Sequence, residues 1–333
     1  MSFHSLLGRS IRLFRREKLG SALLPPIDDA LAELDSSLRR QLNGGWPKEW
    51  TGPDLPSENA DTDRTLLISL YRAAFHCERG DIDSYRAGLE QVVNSSGHGA
   101  MQVSAIRLLI SLLWVQVIEA PRDEQGEGSE QPDRSRGLLS TLCERVDRDY
   151  ADSPWSDIVL FFSESARGIV SFYAGEKAAA KLHLRRAEGL QPRVEKTGDF
   201  GIEDLVGFAS LARGQMAVED GTCDVARRWL LSATHRLEGD TQAEAYAWLA
   251  HSELDLGLLG EARESAERGM RIKRASGFAR DGRDDSLEGA LAEALVRLGE
   301  SKRARQVLMT IVQEGVSESK RRWAEEALQR IGN

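Results

Sequence analysis

Gly168-Ile169-Val170-Ser171-Phe172-Tyr173-Ala174-Gly175-Glu176-Lys177-Ala178-Ala179-Ala180-Lys181-Leu182-His183-Leu184-Arg185-Arg186-Ala187 is the stretch whose reading decides the fold. A small residue, Gly168, precedes a turn glycine, Gly175, by two helical turns, and a second small residue, Ala180, follows it. Leu184, Ala187 and then Pro192 complete the pattern. The template returns as Gly214, Gly221, Ala226, Leu230 and Ala233, and again as Ala250, Gly257, Ala262, Ala266 and Gly269. A further copy runs Ala292, Gly299, Ala304, Leu308 and Ile311, and an earlier, weaker one has Ala73, Gly80 and Leu89, with Tyr85 where alanine is expected. The spacing has a physical reason. Two helices cross closely only where their side chains are small, and a glycine between them reaches positive φ at little cost. Recurrence of one such unit predicts antiparallel helix hairpins in series.

The rest of the chain agrees with helices and offers no strand alternation. Of its 333 residues 41% are hydrophobic, enough to form a core, and aromatics are only 6% while Ala, Leu, Arg and Glu abound, a mix that favours helix. The length exceeds one ordinary core and fits an elongated repeat array or two domains. A formal net charge of −9 argues against a general nucleic-acid binder, whose phosphate contacts need a basic surface. Cys77, Cys143 and Cys223 are far apart, with no CxxC pair, so neither a zinc site nor a disulfide framework is implied, and a reducing, cytoplasmic setting is expected. Arg9, Arg12, Arg15 and Arg16 interrupt the first twenty residues and leave no signal-peptide core. The most apolar stretch, Ile106 to Ile118, falls short of the roughly 20 residues of a membrane span and reads as a buried helix.

Three regions follow. Residues 1–60 hold a basic amphipathic helix from Ser2 to Leu19, a second helix from Pro26 to Leu42, and a Trp/Pro/Gly loop containing Trp46 and Trp50. Residues 61–316 hold about six helix hairpins. One of these pairs Ala100 to Glu119 with Ser135 to Tyr150 around an inserted acidic loop at 121–135, expected to be exposed. Residues 317–333 form a C-terminal helix whose Trp323, Ala327, Leu328 and Ile331 share one side, with Lys320, Arg321, Arg322, Glu325 and Glu326 on the other, as in a capping helix.

The template resembles the tetratricopeptide repeat (TPR) family over roughly residues 61 to 315. That family places small residues at the helix crossing, a glycine at the turn and a proline after the second helix. Pro192 stands at the proline position, Tyr246 alone meets the family's aromatic on the first helix, and the copies are spaced wider than the family's ~34 residues. The resemblance implies an all-α fold, an α-solenoid of antiparallel hairpins wound as a TPR-like superhelix, with an N-terminal helical arm and a C-terminal cap. It also implies a concave groove lined by the first helix of each hairpin. The groove positions fall on Phe162, Ser165, Ile169, Phe172 and Tyr173, on Phe208, Leu211, Gln215, Val218 and Glu219, and on Glu244, Ala247, His251, Leu254 and Asp255. Such a surface, aromatic at one end and acidic at the other, suits a protein or peptide with a hydrophobic anchor and basic flanks. The Lys, Asn and Arg with which chaperone-binding members hold a C-terminal carboxylate are absent from these positions. Core packing between hairpins is the plain alternative for each aromatic, and a solvated face for each carboxylate.

No catalytic apparatus is legible. The histidines His4, His76, His98, His183, His235 and His251 sit singly, and HExxH, GxSxG and both glycine-rich phosphate motifs are missing. His76 and Cys77 are adjacent on a helix and point about 100° apart, His98 is a turn residue, and Asp284-Asp285 reads as a helix start. No enzyme, metal or cofactor is expected. Leu6 to Lys18 resembles the first helix of a repressor-type helix-turn-helix, but Leu23-Leu24-Pro25-Pro26 cannot supply the second helix and no recognition helix follows. Packing on the first hairpin or a partner, or peripheral contact with a membrane through residues 2–19, remains for that segment. The expected function is a scaffold or adaptor that binds a partner segment in the groove. The alternative is a peptide- or ligand-sensing regulator that signals through its N-terminal helices.

Overall fold

A computed structural model describes residues 69, 73, 76, 81–95, 100–119, 130–153, 156–195, 202–275, 286–314 and 318–332. Among them every regular element is an α-helix and no strand occurs. In chain order the helices are α1 (Ile82–Val93), α2 (Ala100–Glu119), α3 (Glu130–Asp149), α4 (Ser156–Tyr173), α5 (Lys177–Glu195) and α6 (Ile202–Glu219). They continue as α7 (Cys223–Arg236), α8 (Gly239–Asp255), α9 (Leu259–Ala275), α10 (Ser286–Arg297), α11 (Ser301–Glu314) and α12 (Glu318–Gly332). The N-terminal region 1–60, with its amphipathic helix and tryptophan loop, lies outside the described residues, as do His98 and Asp284-Asp285.

The template glycines make the links. Gly175, Gly221, Gly257 and Gly299 have φ of +80°, +71°, +74° and +76°, a region closed to most side chains. Each ends its helix in the same way. The residue after the glycine donates back to a carbonyl in the last turn, as Glu176 N does to Ser171 O, Thr222 N to Ala217 O, Leu258 N to Glu253 O and Glu300 N to Leu295 O. This is the Schellman pattern, which satisfies carbonyls a helix end would otherwise orphan. The same residue's own carbonyl then starts the next helix by accepting from Ala180, Ala226, Ala262 or Ala304. Two of these bonds recur in the weak copy, where Asp81 N donates to His76 O and Tyr85 N to Asp81 O. There the Asp81 carboxylate also accepts from Ser84 N at 3.1 Å, a side-chain cap that holds its pKa below the usual range.

The chain divides into two compact units, Ser2–Ile202 and Glu203–Asn333. In the first unit α2 packs against α1, α3 and α4, while α4 and α5 form the closest hairpin. Its most enclosed side chains include Leu89, Ile106, Ile110, Leu113, Tyr150, Phe161, Ile169 and Leu184. Gly168 is the crossing point of α4 and α5, where a Cβ would stand 2.6 Å from Leu184 Cγ. Arg145 of α3 reaches the end of α1, donating to Val93 O at 2.8 Å and Asn94 Oδ1 at 2.7 Å. The helix pair expected around the acidic insertion is present, with one correction. α3 begins at Glu130, so residues 130–135 are helical and the interruption is shorter than 121–135. Pro132 is compatible with this because a helix's first-turn N–H groups have no intrahelical acceptor. Pro192 also departs from expectation, since α5 runs past it to Glu195. Pro192 lies on an exposed face, and buried Val194 anchors the last turn beyond it.

The second unit repeats the hairpin three times, as α6–α7, α8–α9 and α10–α11, and ends in α12. A Cβ on Gly214 would lie 2.5 Å from Leu230, and one on Gly269 would lie 2.5 Å from Leu287, so backbones approach closely within and between hairpins. Alanines fill the remaining crossings: Ala226, Ala250, Ala262, Ala266, Ala292 and Ala304 are all fully buried. In α12, Ala324 is fully buried, and Trp323, Ala327, Leu328 and Ile331 pack with it against Ala292, Leu308 and Ile311. Arg321, Arg322, Glu325 and Glu326 on its other side are exposed, as the sequence pattern implied, while Lys320 is half-buried.

Candidate functional site

In the second unit α8 is covered around most of its circumference. Ala243, Ala245, Ala247, Leu249, Ala250, Ser252, Glu253 and Leu254 are buried. Apart from Asp240 at the helix start, Gln242 and Tyr246 are half-buried on one side, and on another Glu244, Trp248 and His251 are half-buried and Asp255 is exposed. At about 100° per residue these last four form one narrow stripe along the helix. The stripe runs beside α6, where Gln215 Nε2 donates to Glu244 Oε1 at 2.8 Å and Glu219, one turn on, is exposed. On the other flank α10 presents exposed Glu293 and Arg297, and Arg297 Nη1 donates to Leu254 O at 2.9 Å. Glu219, Glu244, Asp255 and Glu293 thus lie with Trp248 on α6, α8 and α10, and Arg297 pairs with Glu293 at 3.7 Å. Cys223 Sγ donates to Asp255 Oδ2 at 3.6 Å, and burial, then the Asp255 charge, pushes its thiol up, so it is a donor here and not a thiolate.

The other groove positions divide sharply. Phe208, Leu211 and Gln215 on α6 are buried, with Val218 half-buried. In the first unit Phe162, Ser165 and Ile169 are buried and Phe172 and Tyr173 half-buried. Arg107 of α2 stacks 4.7 Å from the Phe162 ring centroid, Phe161 meets Phe162 edge-on, and Phe172 meets Tyr173 edge-on at 5.3 Å. Within this chain the buried members of the set are occupied in packing between its own helices. Trp248 was missed by the sequence reading. Its signal was available, because it lies one helical turn from both Glu244 and His251.

A second polar cluster sits in the first unit. The Glu164 side chain, only 7% exposed, accepts from His183 Nδ1 at 2.8 Å and lies 3.6 Å from both Arg167 and Arg186. Arg167 also pairs with Asp147 of α3 at 2.7 Å. Nearby, burial raises the Cys143 thiol to about 11, with its Sγ donating to Ser163 O, which removes it as a nucleophile. Among the described residues no three His, Cys, Asp or Glu side chains converge as a metal site, and no helix is long and apolar enough to cross a membrane. No known family model matches this chain, and no curated protein matches it.

Proposed function

We propose that this chain is a tetratricopeptide-like scaffold or adaptor, and that a partner protein segment binds across α6, α8 and α10 of the second unit. The observation that carries the reading is the stripe Glu244-Trp248-His251-Asp255, which lines one side of α8 between α6 and α10. A helix buried on most sides exposes a line of residues where neighbouring first helices lie side by side, and there a ligand meets several hairpins at once. The repeated Schellman link and the small-residue crossings support the tetratricopeptide-like arrangement. The chemistry of the face selects its partner: lysine or arginine flanks to meet the four carboxylates, and an apolar or cationic side chain against Trp248.

Affinity capture from native lysate tests this, comparing the intact chain with a Trp248→Ala/Asp255→Lys variant and with Glu325→Lys on the outer side of α12. Partners captured by the intact chain and Glu325→Lys, and lost with the double variant, are the expected result. Each such partner should contain a basic segment whose synthetic peptide binds the intact chain at least tenfold more tightly than the double variant, a difference of about 1.4 kcal/mol or more. Equal capture by all three proteins would remove α8 as the binding face.

A further inference from the structure

Arg167 and His183 of the Glu164 cluster line a cleft of about 230 Å³ between α3, α4 and α5. Leu139, Val170 and Ala174 supply its apolar wall, and Arg136, Arg167 and His183 its polar one. The hairpin does not need these charges. Counted from the template's crossing residue, Glu164, Arg167, His183 and Arg186 correspond to Ser210, Arg213, Trp229 and Ser232 in the next copy. There Ser210 and Ser232 share a hydrogen bond of 3.3 Å and Arg213 stacks on Trp229 at 4.5 Å, so the same crossing is held with no carboxylate. A buried ion cluster is a poor route to stability, because its desolvation offsets the attraction. The α4–α5 crossing thus keeps charges that the α6–α7 crossing does without.

The donors and acceptors of the cleft do not balance. The ion pairs of Arg167 all run through Nη1, and Nε and Nη2 have no acceptor among the described residues. Arg136, exposed at the mouth, makes no hydrogen bond or ion pair among them. Glu164 accepts at His183 Nδ1, which turns the Nε2 edge of that ring away from it. The remaining carboxylate at the rim, Glu176, already accepts from Ser171 at 3.1 Å, and Ser140 donates to Glu144 at 3.2 Å. Formal charges cancel over the cleft and the adjoining cluster, with Arg136, Arg167 and Arg186 against Asp147, Glu164 and Glu176. The attraction is therefore directional, from unfilled guanidinium N–H groups beside an apolar wall.

We propose that this cleft binds a carboxylate carried on a short branched apolar body, with Arg136 and Arg167 gripping the carboxylate and Leu139 and Val170 receiving the body. Guanidinium forks match carboxylate geometry, and a small acid or a chain terminus is of a size to meet both walls of the cleft. Glu164 is a positioning residue that holds Arg167 and His183 at the wall.

Isothermal titration of the full-length chain with sodium isovalerate, its neutral amide, inorganic phosphate and N-acetylleucine tests the proposal. Saturable isovalerate binding with Kd of about 1 mM or below is expected, and binding of the amide and of phosphate at least tenfold weaker. Arg136→Gln and Ala174→Phe, both at exposed positions and so compatible with folding, should each weaken isovalerate at least tenfold. N-acetylleucine binding tighter than isovalerate supports the proposal with a peptide C-terminus as the source, and the reverse supports it with a free acid. No saturable binding, an amide or phosphate equal to isovalerate, or an Arg136→Gln variant that binds like the parent would overturn it.

Discussion

At Gly168 there is no room for a methyl group. A Cβ would meet Leu184 Cγ at 2.6 Å and the Leu184 backbone nitrogen at 3.1 Å, so α5 itself would have to move. Gly189, five residues past Leu184 in α5, is exposed and has nothing within 4 Å of its Cβ direction. The same substitution should therefore act in opposite directions at the two sites. Gly168→Ala is expected to destabilise by roughly 1–3 kcal/mol through overpacking. Gly189→Ala should stabilise by about 0.5–1 kcal/mol, because alanine loses less backbone entropy in a helix. Urea unfolding of the two variants measures both. A neutral Gly168→Ala would mean that α4 and α5 do not cross as closely as described.

Elements are joined by polar side chains as well as by small ones, and Glu253 is the clearest case. From α8 it accepts from Ser265 Oγ of α9 at 2.8 Å and Arg227 Nε of α7 at 3.1 Å, with its side chain 2% exposed. Burial nonetheless dominates and lifts its pKa above the ordinary 4.5. The folded chain then holds this proton at a pH where the unfolded chain has released it. Stability from Glu253 is full below 4.5 and declines as pH rises through the folded value. Glu300, bonded by Arg303 and Arg263, shifts the other way, so its contribution is lost as pH falls. Glu253→Gln keeps an acceptor for Ser265 and Arg227 and removes the titration. Relative to the parent, it should gain stability as pH rises from 4.5 and then level off. Chemical unfolding at a series of pH values gives the difference curve, and a variant that loses ground with rising pH would refute the assignment. Elements of this kind were legible in part. The turn glycines could be read because positive φ restricts the residue type, whereas α3's earlier start and α5's passage through Pro192 could not, since buried Val194 and tertiary packing outweigh local propensity there.

Across the whole molecule, the hairpin series was readable and the exposed face was not, for one physical reason. A helix packed on several sides is apolar nearly all round, so α6 offers no amphipathic pattern to separate Phe208 and Leu211, which are buried, from positions a ligand could touch. Spacing located the helices, but burial by neighbours decided which of the anticipated groove residues reach solvent. α12 escapes this limit, because its exposed Arg321, Arg322, Glu325 and Glu326 stand opposite its packed side. That asymmetry makes α12 testable at the scale of its unit. Its Ala324, with Trp323, Leu328 and Ile331, covers Ala292, Leu308 and Ile311, all at most 2% exposed. Ending the chain before Glu318 would bare that surface, and at about 1.5–3 kcal/mol for each large side chain uncovered, Leu308 and Ile311 alone put the loss near 3 kcal/mol or more. A repeat series without its polar-backed end also presents an apolar face to other molecules. The truncated chain should therefore unfold at lower denaturant and associate as concentration rises in sedimentation experiments. Ala324→Arg, which forces a charge into the same contact, should reproduce the loss of stability within the full-length chain. If both proteins matched the parent in midpoint and association, α12 would not be the element that closes this unit.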